Sequence, residues 1–191
     1  MRTFIAVNFP KDLLVRIDEI THFFKKKTPD RALKWVDINN LHLTVKFIGE
    51  INENKIGQVK DVLTQSLSAQ NAFNIEVSGL GMYPNQHNPR VVWLGISGEE
   101  PLIKIHKDLN RQLTAVNISP EKRPFSGHLT IARVRSNTDK ETAGMVGDIL
   151  SQFTVDSLGW ITIDHINLYK SELTPAGPIY TCLLSVPLNQ V

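Results

Sequence analysis

Apolar positions recur along this chain with two periods, and the switches between them mark its elements. Arg2 to Asn8 is a short β-rich apolar run and predicts a strand. Helical spacing of Leu13, Ile17, Ile20 and Phe24 predicts a helix from about Lys11 to Phe24. After a basic loop holding Lys25, Lys26, Lys27 and Pro29, a short strand is expected around Trp35 and a longer one over Leu41 to Ile48. A second helix is expected from about Asn54 to Leu67, with Asn52 as its N-cap, and a strand over Phe73 to Leu80.

The same order then returns. Arg90 to Ile96 reads as a strand. Pro101 stands near the first turn of a helix whose stripe is Leu102, Ile105, Leu109 and Leu113. A polar loop covers Asn117 to Pro124, and Gly127 to Val134 reads as a strand. Thr138 and Glu141 form a capping-box pattern for a helix with Met145, Ile149 and Leu150. Strands over Thr154 to Leu158, Trp160 to Tyr169 and Ile179 to Pro187 complete the pattern. Strands separated by helices predict a mixed α/β (α+β) protein. The repeated order predicts one domain over residues 1–191 built of two similar lobes.

Composition changes this picture little. The profile is that of an ordinary globular protein long enough to bury a core without metal or disulfide support. A formal charge of +2 is too small to diagnose nucleic-acid binding, so any anion site must come from local clustering. Cys182 is the one cysteine; its strand setting predicts a buried structural thiol in a reducing compartment. The first apolar run is too short for a signal peptide or membrane span, and a cytoplasmic, membrane-free monomer is expected.

The chemistry lies in a tetrapeptide found once in each half. One copy is His42-Leu43-Thr44-Val45, the other His128-Leu129-Thr130-Ile131. Residues i and i+2 of a strand share a face, so His42 pairs with Thr44 and His128 with Thr130. Two such faces across a cleft bring two imidazoles and two hydroxyls to one point. In-line displacement at phosphorus needs a base for the attacking oxygen and an acid for the leaving one. Histidine does either near neutral pH, while threonine hydroxyls can hold the non-bridging oxygens. Arg133 could neutralise charge there, but alternation along a regular strand puts it opposite His128, so it needs a bulge to reach the site.

These motifs, with the segments RTFIAVNFP, LKWVDINNLHLTVKFIGE, PRVVWLGI, PFSGHLTIAR and LYKSELTPAGPIYT, resemble the 2H phosphoesterase superfamily. Within it the chain resembles the RNA 2′,3′-cyclic phosphodiesterases, also called LigT-like or 2′-5′ RNA ligase proteins, over nearly its whole length. The resemblance implies a bilobal fold with two antiparallel sheets flanking a cleft and helices outside. It also implies His42 as proton donor, His128 as proton acceptor, and Arg133 as a phosphate contact. The implied substrate is RNA with a 2′,3′-cyclic phosphate end or a small cyclic nucleotide, opened to a 2′-phosphomonoester; the direction of opening rests on the resemblance alone. Run in reverse, the same site would join ends through a 2′-5′ linkage.

No metal or cofactor is expected. The chain has no H-x-x-x-H, H-x-x-E-H or P-loop pattern, and threonines beside histidines are poor zinc ligands. His22 and His106 fall on helices and are expected to be solvated or partly covered, His87 on an exposed loop, and His165 in a structural strand position. Phe4, Phe9 and Tyr83, near strand ends, could stack on a terminal base, but core or rim is the first expectation for each.

Overall fold

The computed structural model describes residues 1–175 and 177–190. Among the described residues, nine strands and four α-helices follow in the order β1 (Arg2–Val7), α1 (Lys11–Lys27), β2 (Leu33–Trp35), β3 (Leu43–Glu50), α2 (Ile56–Leu67), β4 (Phe73–Tyr83), β5 (Val91–Ser97), α3 (Glu100–Gln112), β6 (His128–Val134), α4 (Lys140–Leu150), β7 (Trp160–Ile163), β8 (His165–Thr174) and β9 (Gly177–Pro187). They form two antiparallel sheets, ordered β3-β1-β8-β9 and β2-β6-β5-β4-β7.

The sheet orders correspond when β3, β1 and β8 are matched with β6, β5 and β4. Yet neither sheet is drawn from one half of the chain. After α2 the chain passes to the second sheet, because β4 and β5 are joined by a short hairpin and pair directly. It returns at Asp164: Ile163 pairs with Phe73 in one sheet, and His165 pairs with Pro187 in the other. Element order along the chain cannot reveal this exchange, since sheet membership depends on long-range pairing.

Helices α1, α2 and α3 bury most of the stripes their spacing predicted. Leu13, Ile17 and Phe24 of α1, Val59, Leu63 and Leu67 of α2, and Leu102, Ile105 and Leu109 of α3 are all nearly inaccessible and join one hydrophobic core. Helices α2 and α3 pack on each other; α3 also lies against β3 and α2 against β9. Lys25–Lys27 belong to the last turn of α1, not to a loop, where their charge complements the helix dipole.

Several local expectations shift. Asn52 precedes a 3-10 turn at Glu53–Lys55 and makes no capping bond. The cap of α4 is Asp139, one residue past Thr138; its carboxylate accepts from the Thr142 N–H at 2.8 Å. Thr138 instead donates its hydroxyl to the Ala32 carbonyl. The α4 stripe is Ala143, Val146, Gly147 and Leu150, with Met145 turned outward. Residues 154–158 form no strand, although the Val155 carbonyl and the Leu158 N–H each bond to β4. Cys182 is exposed, because its position on β9 faces away from the core. No helix among the described residues is long and apolar enough to cross a membrane.

Candidate active site

His42 immediately precedes β3, and His128 opens β6. β3 is an edge strand of its sheet, and Cα atoms of β3 and β6 come within 8 Å of each other. The strands that carry the two motifs therefore lie beside each other where the sheets adjoin. Leu43 and Leu129 enter the core, while His42, Thr44, His128 and Thr130 are half-buried.

Both strands carry a bulge at the same place. In β3 the register runs Ile5↔Lys46 then Ala6↔Thr44, leaving Val45 extra. In β6 it runs Val92↔Ala132 then Trp93↔Thr130, leaving Ile131 extra. An extra residue turns two successive side chains to one side and resets the alternation. Val45 and Lys46 are accordingly both buried, as are Ile131 and Ala132. The next residue, Phe47 or Arg133, is exposed. The expectation that alternation keeps Arg133 from the site is thus corrected: the bulge returns it to the face of His128.

From there Arg133 acts across the sheets. Its charge disfavours a proton on His42. Burial raises the Tyr180 pKa, and the charges of Arg2 and Arg133 oppose that rise without cancelling it. Burial lowers the His42 pKa below its ordinary value; the Asn40 hydrogen bond opposes this, and Arg133 adds to it. Replacing the guanidinium by a neutral amide, Arg133→Gln, should therefore raise the His42 pKa. An NMR titration of the His42 ring reads this directly. An unmoved midpoint would show that Arg133 does not face His42.

The imidazoles are held alike. His42 Nδ1 lies 2.7 Å from the Asn40 carbonyl oxygen, and His128 Nδ1 lies 2.8 Å from that of Ser126. A carbonyl only accepts, so Nδ1 carries the hydrogen in both rings. Each Nε2 is left to accept a proton when the ring is neutral and to donate one when it is charged.

Aromatic rings wall both histidines. Phe4 lies 4.8 Å from the His42 ring centroid, and Tyr180 meets it edge-on at 5.1 Å. Tyr83 meets His128 edge-on at 5.2 Å, with Trp93 behind at 6.4 Å. Gly81 makes room for that indole: a Cβ there would stand 2.2 Å from the Trp93 ring. A pocket of about 100 Å³ opens beside His42, lined by Phe4, Asn8, Asn39, Tyr169 and Tyr180 among others.

The sequence pointed to Phe4 and Tyr83 as core or rim residues able to stack on a base, and it gave no sign of Tyr180, Tyr169 and Trp93. Tyr180 reaches His42, and Tyr169 stacks on Phe4 beside it, because β8 and β9 cross to its sheet, for which the local sequence carries no signal. His106, expected to be solvated or partly covered, is buried behind β3. His22, His87 and His165 are exposed. Among the described residues, no three His, Cys, Asp or Glu side chains gather as metal ligands.

The family model described as the 2′-5′ RNA ligase superfamily matches residues 9–173. A relative from Methanothermobacter thermautotrophicus, named RNA 2′,3′-cyclic phosphodiesterase, is 33% identical over 183 residues, covering 95% of this chain and 95% of its own. One of the same name from Methanocaldococcus jannaschii is 35% identical over 180 residues, covering 94% and 96%. A crystal structure of a Thermus thermophilus protein superposes with a TM-score of 0.79 at 26% identity, covering 100% of this chain and 99% of its own. With the family model spanning most of the sequence, and relatives above 30% identity along nearly all of it, the chain belongs to the 2′-5′ RNA ligase superfamily.

Proposed function

We propose that this chain hydrolyses the 2′,3′-cyclic phosphate at the end of an RNA, or of a small cyclic nucleotide, to a 2′-phosphomonoester by two-histidine acid–base catalysis. The carrying observation is the matched pair of imidazoles, each with Nδ1 committed to a backbone carbonyl and Nε2 left for proton transfer. The printed names of the relatives support the substrate class.

In this reading His128 Nε2 removes a proton from water as the water oxygen attacks phosphorus. The bond from phosphorus to O3′ breaks, and protonated His42 gives its Nε2 hydrogen to O3′. The products are a 3′-hydroxyl and a 2′-phosphate. Thr44, Thr130 and Arg133 hold the non-bridging oxygens, where hydrogen bonds to charge are about twice as strong as neutral ones. With a 5′-hydroxyl in place of water, the same ring-opening step forms a 2′-5′ linkage; water at its ordinary concentration favours hydrolysis. The chain works as a monomer; His42 supplies the proton taken by O3′, His128 takes the one lost by water, and exchange with solvent resets both rings.

One assay tests the reading. 2′,3′-cyclic mononucleotides, cyclic-phosphate-ended RNA and 2′-5′ dinucleotides are each incubated with enzyme in excess EDTA. Cyclic phosphates should open to 2′-phosphates at the rate seen without chelator. Activity lost in EDTA and recovered with Zn²⁺ or Mn²⁺ would show that the histidines are misassigned. Turnover of the 2′-5′ dinucleotide alone would keep the chemistry and replace the substrate.

A further inference from the structure

Behind the β3 bulge, on the side away from the histidine pair, lies a polar cluster that acid–base chemistry does not use. It comprises Lys46, His106, Asn110 and Glu121. Lys46 is 1% exposed and His106 5%. Burying a lysine is costly without partners. Its Nζ donates to Asn110 Oδ1 at 2.7 Å and stands 3.6 Å from Glu121 Oε2. Asn110 also clamps the backbone of residue 121: Oδ1 accepts the Glu121 N–H at 3.0 Å, and Nδ2 donates to the Glu121 carbonyl at 3.2 Å. One turn back on α3, His106 Nδ1 donates to the Val45 carbonyl at 2.8 Å. Asn110 Nδ2 meets His106 Nε2 at 3.3 Å, which is consistent with that tautomer.

The two ends of this cluster belong to different motifs. Val45 and Lys46 are the bulged residues that follow Thr44. Glu121 lies in the segment that leads to Ser126, the residue whose carbonyl orients His128. That segment is fastened to α3 on both sides of Ser126. The His106 ring lies 5.5 Å from that of Phe125, and the Gly127 N–H donates to the Glu99 carboxylate at the start of α3. A single helix thus grips the strand of His42 and the approach to His128.

We infer that the Lys46–His106–Asn110–Glu121 cluster on α3 is a positioning device that sets the separation of His42 from His128. This rests on the two-histidine reading above. In-line displacement needs acid and base on opposite sides of one phosphorus, and a misplacement of about 1 Å can cost on the order of 10²-fold in rate. The four are positioning residues, since none touches the substrate.

The test uses two substrates. A ribose 2′,3′-cyclic phosphate needs both acid and base, whereas an aryl phosphodiester with a nitrophenolate leaving group needs only the base. Asn110→Leu keeps the side-chain volume and removes both clamps. The double variant Lys46→Met/Glu121→Gln removes the ion pair without stranding a charge, and it decides the matter if Asn110→Leu does not fold. Each should lose about 10- to 100-fold in kcat on the ribose substrate, with KM little changed, and less than about threefold on the aryl ester. Equal losses on both substrates, or a lower Tm with unchanged kinetics, would overturn the inference and leave the cluster structural. His42→Ala, run in the same panel, separates the two ideas. If it discriminates between the substrates and the cluster variants do not, only the positioning role falls. If His42→Ala does not discriminate, the two-histidine reading falls and the positioning role with it.

Discussion

Replacing His42 or His128 by alanine is expected to lower turnover of a ribose cyclic phosphate by about 10²–10⁴-fold in each case, the usual contribution of a positioned acid or base. The double variant should be little worse than either single one, because groups that act in one transition state do not contribute additively. Folding should survive. Both rings are half-buried at the cleft, and each ring's hydrogen bond goes to a backbone carbonyl that water can reach once the ring is gone. His42 packs on Phe4 and Tyr180, so its removal should cost more stability than that of His128, yet within about 1–2 kcal/mol. Single-turnover rates and calorimetric melting measured on one preparation separate chemistry from stability. A single variant that keeps roughly half the wild-type rate would end the two-histidine mechanism.

The paired motif was legible because its signal is local. His42 with Thr44 and His128 with Thr130 need only period-two alternation to share a face, and each pair alternates with apolar residues that must be buried. Arg133 was legible only by resemblance. Its orientation depends on one extra residue, Ile131, and a bulge leaves no mark on the spacing of apolar positions: Ile131 and Ala132 read equally well in a regular strand. Buried Lys46 was illegible for the same reason, since alternation aims it toward the cleft beside Thr44. The aromatic wall was hidden by topology. Tyr180 stands 138 residues beyond His42 and arrives only because β8 and β9 join the sheet of β1 and β3. The stripes of α1, α2 and α3, fixed by spacing alone, were the most faithfully readable feature, whereas α4 turned its stripe to Ala143, Val146 and Gly147 and its cap moved by one residue, where Asp139 competed with Thr138.

Changing the leaving group should rescue His42→Ala by nearly the whole loss, about 10²–10³-fold, and leave His128→Ala dead. A nitrophenolate departs without a proton, so the acid has nothing to do, whereas water still needs its base. The pH dependence follows from the same roles. With the ribose substrate the wild-type rate is a bell: falling pH protonates the base, and rising pH discharges the acid. The two apparent pKa values belong to the coupled pair. Burial and Arg133 depress the His42 pKa, so in free enzyme its proton is lost at a lower pH than an ordinary histidine would lose it. At neutral pH few free enzyme molecules therefore carry the proton on His42, which holds kcat/KM, the parameter that reports free enzyme, below its ceiling there. A bound phosphodiester brings negative charge beside both His42 and Arg133. It offsets the guanidinium and favours the imidazolium, so the alkaline limb of kcat should lie at higher pH than that of kcat/KM. With the aryl ester that limb should vanish in wild type and His42→Ala alike, and the acid limb should remain in both. The decisive measurement is kcat and kcat/KM across pH for wild type and the two single variants on both substrates. If the aryl ester instead restores His128→Ala and leaves His42→Ala inactive, the depressed pKa of His42 marks the base, and the two histidines exchange roles.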